Sequence, residues 1–204
     1  MGSPEKEEEG KLESILNAAQ KKFGQFGLAK TTMNDIASEL GMGKASIYYY
    51  FPTKEKLYEA VIVKEQEQFV QEIQKSVKPS ANASQLLKAY VKKRVAHFEK
   101  CLNLSKLSTD AILNSAPCVK KLYTDFGKRE VELIASILEL GIRNGEFTEI
   151  DAREQADFLM TILLGLRMVA KKQKDNGILE KEDYLALHKN MSMTMEMFIK
   201  YMQR

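Results

Sequence analysis

Residues 31–57, TTMNDIASELGMGKASIYYYFPTKEKL, hold two short helical patterns separated by a Gly-containing turn and followed by the start of a longer helix. In the first, Met33, Ile36, Ala37 and Leu40 recur on one face of the ~3.6-residue helical period. Thr32 is placed to cap that helix, and Asp35 three residues on approximates a capping box. Gly41-Met42-Gly43 breaks the pattern and gives the backbone the freedom a sharp turn needs. Lys44 to Tyr50 forms two further turns that carry a lysine, a serine and three consecutive tyrosines. Pro52 ends them, because the residue before a proline is pushed out of the helical region, and Thr53 caps the next helix. A helix–turn–helix of this size places its second helix in a DNA major groove. It is also the shape of a plain packing corner with tyrosines over a small core, and geometry alone leaves both readings standing.

Working outward, the upstream residues Leu12, Ile15, Leu16, Ala19, Phe23 and Phe26 fall at three- and four-residue steps. They mark an amphipathic helix from Lys11 onward that ends near Gly24 or Gly27. Downstream, Lys54 to Lys75 reads as a long helix with Leu57, Val61, Phe69, Val70 and Ile73 on its apolar side. Its polar middle, Lys64 to Gln68, is expected to face solvent. Val77 to Ser84 is a loop. Helical patterns resume at Gln85 to His97, run on to Leu113 after an interruption near Leu102, and restart at Pro117, which suits a first helical turn. Gly141 and Gly145 close that helix, with Phe147 expected to plug a core. Asp151 to Lys172 and Glu182 to Met202 complete an all-α chain in which no useful strand pattern occurs.

The string Thr31-Thr32, Ile36-Ala37, Gly41, Ser46-Ile47-Tyr48-Tyr49-Tyr50-Phe51 and Lys54-Glu55-Leu57 resembles the N-terminal signature of the TetR family of bacterial transcriptional regulators. Ile15, Ala18-Ala19, Phe23 and Gly27 extend the likeness upstream. A short Gly-x-x-x-Gly-x-Phe turn at 141–147 is similar to the family's body. The resemblance implies about nine helices, with a DNA-binding head at 1–52 and a ligand-binding and dimerisation body at 53–204, the helix from 54 acting as connector. It further implies a repressor that binds a pseudopalindromic operator as a homodimer and is released by a small apolar or amphipathic effector. By match to the family's motif, Lys44, Ala45, Ser46 and Tyr49 face base edges, and Thr31, Thr32, Tyr48, Tyr50 and Lys54 contact phosphate. Two positions depart from the pattern. Gly43 stands where Ser or Thr is common, and Tyr50 where many relatives carry His.

In the body, the effector candidates are Tyr90, His97, Phe98, Tyr123, Phe126, Phe158, Met160, Leu163, Leu164, Arg167 and Met168. Arg167 lies in the most apolar helix, where it pairs either with a ligand carboxylate or phenolate or, more ordinarily, with Asp157 or a partner's acid. The last two helices carry more apolar surface than one modest body can cover, so they are expected to pack against their copies through Leu159, Ile162, Leu166, Leu187, Met191, Met195, Phe198 and Met202. Leu185, Met193, Met197 and Tyr201 extend that stripe sideways. Burial of both helices inside one subunit is the competing expectation.

Composition sets the outer bounds. A chain of 204 residues with 44% hydrophobic and 29% charged content is globular, not disordered. Its net charge of +3 is too small to prove DNA binding by itself. Cys101 and Cys118 form no disulfide framework or metal cluster and are expected to be core thiols. No signal peptide or membrane span is legible, so a cytoplasmic location is expected. His97 and His188 lack metal spacing, and neither a phosphate loop nor a nucleophile elbow occurs, so no enzyme, metal or cofactor is expected. A helical adaptor that ignores DNA, or an activator of the same family, is the alternative.

Overall fold

The computed structural model describes residues 4–78, 80–100, 117–174 and 177–203. Eight helices occur among the described residues: α1 (Pro4–Lys30), α2 (Met33–Glu39), α3 (Lys44–Tyr50), α4 (Lys54–Gln74), α5 (Ala83–Lys100), α6 (Pro117–Arg143), α7 (Ala152–Lys172) and α8 (Lys181–Met202). The helix expected up to Leu113 and the thiol of Cys101 lie outside the described residues, as does the side chain of Cys118. Packing divides the chain into two compact units, and the division falls inside α4 between Glu65 and Gln66.

In the first unit, α1 turns Ile15, Ala18, Ala19 and Phe23 inward. The helix runs past Gly24 and is interrupted at Gly27, whose φ of 77° is open to glycine at little cost. Thr31 then closes the turn, its hydroxyl donating to the Gly27 carbonyl at 2.8 Å. Leu12 and Phe26, although on the apolar pattern, are exposed. Thr32 caps α2 as expected: its hydroxyl accepts from Asp35 N at 3.2 Å, while its own N–H donates to the Asp35 carboxylate at 2.8 Å. Gly41 takes the positive φ that the turn requires, and Ile47 anchors α3 in the core. Met33, Ile36, Phe51, Leu57, Val61 and Ile62 fill the rest, with Phe23 set edge-on to Tyr58 at 5.2 Å.

The second unit packs α5 against α6 and α8, and α7 against α6 and α8. Phe69 sits at its centre, with the rings of Tyr90, His97 and Phe126 within 6.0 Å. Phe147 is buried as expected, seated where Gly141 leaves no side chain. Beside it, the Glu146 carboxylate accepts from the N–H groups of Ala83 and Ser84 at 2.8 and 3.2 Å and so caps α5.

One expectation fails here. The polar run Lys64–Gln68 does not simply face water, since Glu65 and Gln66 are fully buried. Each is paired: Gln20 donates to Glu65 at 2.9 Å in the first unit, and Arg129 donates to the Gln66 side-chain oxygen at 3.1 Å in the second. Lys64 reaches Glu13 and Asn17 at 2.5 and 2.8 Å. Polar side chains are tolerated inside a helix contact when they hydrogen-bond across it, and composition cannot reveal such pairing.

Candidate nucleic-acid interface and body cluster

The head presents α3 by burying one side of it. Ile47 lies at 0% exposure and Phe51 closes the helix end, which leaves Lys44, Ala45, Ser46, Tyr48 and Tyr49 on the open face. Tyr49 is 77% exposed, with most of its ring open to a partner. The neighbours hold the group in shape: Tyr50 meets Tyr49 edge-on at 5.2 Å, and the Lys44 ammonium lies 5.6 Å from the Tyr48 ring. Gly43 caps α3 without a side-chain hydrogen bond.

Charge is also sorted. Lys21 and Lys22 both pair with Glu39, at 2.5 and 3.0 Å, and hold its carboxyl down to about 2. Lys56 pairs with Glu59. Among the described residues no ion pair engages Lys44 or Lys54, so these ammonium groups remain available to an anion. Of the residues assigned to phosphate, Thr32, Tyr48, Tyr50 and Lys54 keep some exposure. Thr31 does not: it is 1% exposed, and its hydroxyl is spent on the Gly27 carbonyl, so its role is to close the turn.

The effector candidates separate into two groups. Tyr90, Phe98, Phe126, Met160 and Leu163 are buried, with His97, Tyr123 and Arg167 partly covered beside them. Phe158, Leu164 and Met168 are exposed instead, because they lie on the opposite side of α7 from Leu159 and Leu163. The buried group surrounds an ion pair that the sequence reading missed. Arg94 donates to Glu130 through Nε at 2.7 Å and Nη2 at 3.3 Å, and Tyr90 donates to the same carboxylate at 2.6 Å. A signal existed, since Arg94 sits within the apolar stripe Leu87, Tyr90, Val91, Val95, Phe98. Arg167 stacks over Phe98 at 3.9 Å. It does not take Asp157, which engages Arg153 at 3.7 Å and lies ten residues away in the same helix, ~15 Å along its axis. Burial pushes the His97 imidazole down to about 4.

Most of the expected interface stripe lies in the core of the chain itself. Leu159, Leu187, Met191, Met195, Phe198 and Met202 are buried within the chain, while Ile162 and Leu166 are half-covered. The exposed apolar side chains are Phe158, Leu164, Met168 and Val169 on α7 and Leu185, Met193, Met197 and Tyr201 on α8. Phe158, Ile162, Met197 and Tyr201 line a surface groove of about 560 Å³.

Residues 15–61 match the family model described as bacterial regulatory proteins, tetR family. A transcriptional regulator of Cytophaga hutchinsonii is 49% identical over 96% of this chain and all of that one, with a TM-score of 0.86. A TetR transcription regulator from Haloarcula marismortui shares the fold at 22% identity, covering 95% of this chain and 98% of its own, with a TM-score of 0.73. The HTH-type transcriptional regulator YhgD of Bacillus subtilis, itself uncharacterized, is 26% identical over 85% of this chain and 90% of its own.

Proposed function

Because the chain belongs to the TetR family of bacterial regulators, and is therefore a regulator and not an enzyme, we propose that it represses transcription by binding a pseudopalindromic operator as a homodimer. The observation that carries this reading is α3: a two-turn helix whose buried side is a single isoleucine and whose open side offers Lys44, Ala45, Ser46 and Tyr49. Lys44 suits guanine O6 or N7, Ser46 several base edges, and Ala45 a thymine methyl. Tyr48, Tyr50, Thr32 and Lys54 surround them as phosphate contacts, and the N-terminus of α4 after Thr53 adds peptide N–H groups.

Two copies are needed because a palindrome repeats its half-site after about one duplex turn, ~34 Å. The exposed stripe on α7 and α8 supports a two-fold contact, in which the groove of one copy receives Met197 and Tyr201 of the other to make a four-helix packing. A small-molecule effector acts by binding the DNA-incompetent arrangement of the body more tightly than the competent one. Since α4 is continuous from Lys54 to Gln74, it is the connection through which the body acts on the head.

Selection of bound fragments from random duplex DNA tests the proposal. A recovered site with two-fold symmetry, bound by two chains, is the expected result. Recovery of no enriched sequence, with binding no stronger than to random DNA at physiological salt, returns the chain to a helical module without this function.

A further inference from the structure

Gly165 stands inside α7, where a glycine weakens a helix relative to alanine. Its own subunit gives no reason for it: among the described residues, a Cβ there would meet nothing within 4 Å beyond the adjoining helix backbone. Gly127 in α6 is equally open but stands beside the exposed Lys120, Thr124 and Lys128, so openness alone decides nothing. Gly165 differs in its company. It continues the line of Phe158 and Ile162 at steps of four and three residues, and Val169 follows four later. Phe158 and Val169 are exposed and Ile162 is half-covered, so the glycine is a notch in an uncovered apolar stripe. On α8, the exposed Met193, Met197 and Tyr201 form a second stripe at steps of four. Charge gives the two stripes a direction. Glu154 lies eleven residues before Gly165 and Lys172 seven after it; Glu182 and Lys200 keep the same spacings from Met193. Both spacings return to nearly the same side of a helix, and all four charged residues are exposed. Each stripe is therefore acidic where it begins and basic where it ends, so an α8 laid antiparallel on α7 brings unlike charges together at both ends. The chain's own α8 already runs beside α7, the two bordering one groove, so an α8 on the open side of that stripe belongs to a second copy.

We infer that α8 of a second copy crosses α7 antiparallel, with Met193 of the partner subunit seated in the notch at Gly165. This rests on the two-copy reading above and fixes its register. With Met197 of the partner subunit against Ile162, Met193 of the partner subunit falls one helical turn, ~6 Å, further along, over Gly165 and Leu166. A side chain at position 165 would hold the helices apart there. Bare backbone lets them approach, and an unbranched methionine is the side chain best able to shape itself to the gap.

The test is sedimentation of the full chain across a concentration series. Gly165→Leu is expected to raise the dimer dissociation constant by roughly ten- to a hundredfold, the range of an overpacked contact. Its helical circular dichroism spectrum should stay that of the parent, because the site is open within the subunit. Met193→Ala should weaken the parent dimer, yet in the Gly165→Leu background it should tighten the dimer about tenfold by making room for the leucine. Gly127→Leu should leave association unchanged. If Gly165→Leu loses the parent spectrum, Gly165→Ala carries the same comparison, with a loss of about a fewfold. A dissociation constant that ignores the substitution at 165, an equal loss in Gly127→Leu, or a Met193→Ala that weakens both backgrounds alike overturns the seating of Met193 and leaves the two-copy reading standing. A parent chain that stays monomeric at every concentration removes both.

Discussion

At the scale of single residues, some lysines of the head are committed to holding the fold and others are not. Lys21 and Lys22 are committed to Glu39, whereas Lys44 sits on the open side of α3 and Lys54 opens α4. Lys44→Ala should therefore shrink the ratio between operator and random-sequence affinity, with about 1–3 kcal/mol lost on the operator. Lys54→Ala should weaken both DNAs alike and lower the slope of log affinity against log salt by about one. Fluorescence anisotropy on the two duplexes across a salt series reads both effects, and equal losses for Lys44→Ala would remove it from the base-reading set. In the body, burial lowers the His97 imidazole to about 4 from its ordinary 6.5, so between those values the unfolded chain binds the extra proton. This contribution to stability is intact above pH 6.5 and is lost as pH falls toward 4, at up to about 1.4 kcal/mol per pH unit. His97→Gln should flatten that part of the urea-unfolding stability profile. A slope unchanged by the substitution would assign the acid sensitivity to other groups.

At the scale of elements, the turn between α6 and α7 fastens the start of α5. A Cβ placed on Gly141 would overlap the Phe147 ring and lie 2.9 Å from the Ala83 Cβ. Gly141→Ala must therefore expel Phe147 and, with it, loosen the neighbouring Glu146 that caps α5. We expect a loss of about 1–3 kcal/mol in denaturant unfolding, with part of it recovered when Phe147→Leu is added. An alanine variant as stable as the parent, or a pair whose effects simply add, would show that the contact is relieved elsewhere. The sequence already indicated this arrangement from Gly141, Gly145 and Phe147, because a phenylalanine after a glycine-closed helix has few places to go. It gave no hint of Glu146, since an acid that caps a helix more than sixty residues away looks the same as a solvated one. Arg94 and Glu130 were visible only as charges standing on apolar stripes, a pattern that marks a pair without naming the partner.

At the scale of the whole molecule, the exposed apolar stripe of α7 and α8 is the feature a lone subunit leaves uncovered. Met197→Glu places a charge in the groove beside Phe158 and Tyr201 while sparing Met195 and Phe198 in the core. Sedimentation should then report a monomer with an unchanged helical spectrum, and operator affinity should fall steeply because one head alone reads half a palindrome. A dimer that persists would relocate the interface. From the sequence alone came the helical class, the helix–turn–helix of the head with its capped first helix and glycine turn, and the residues that α3 displays, because local periodicity, capping and backbone freedom act within a few residues of each other. Only the folded chain decided which of two apolar stripes on α8 faces inward, that Glu65, Gln66 and Arg94 are buried, and that Thr31 closes a turn. Those outcomes depend on which surfaces distant segments bring together, and a periodicity shared by both faces of a helix carries no record of its neighbour.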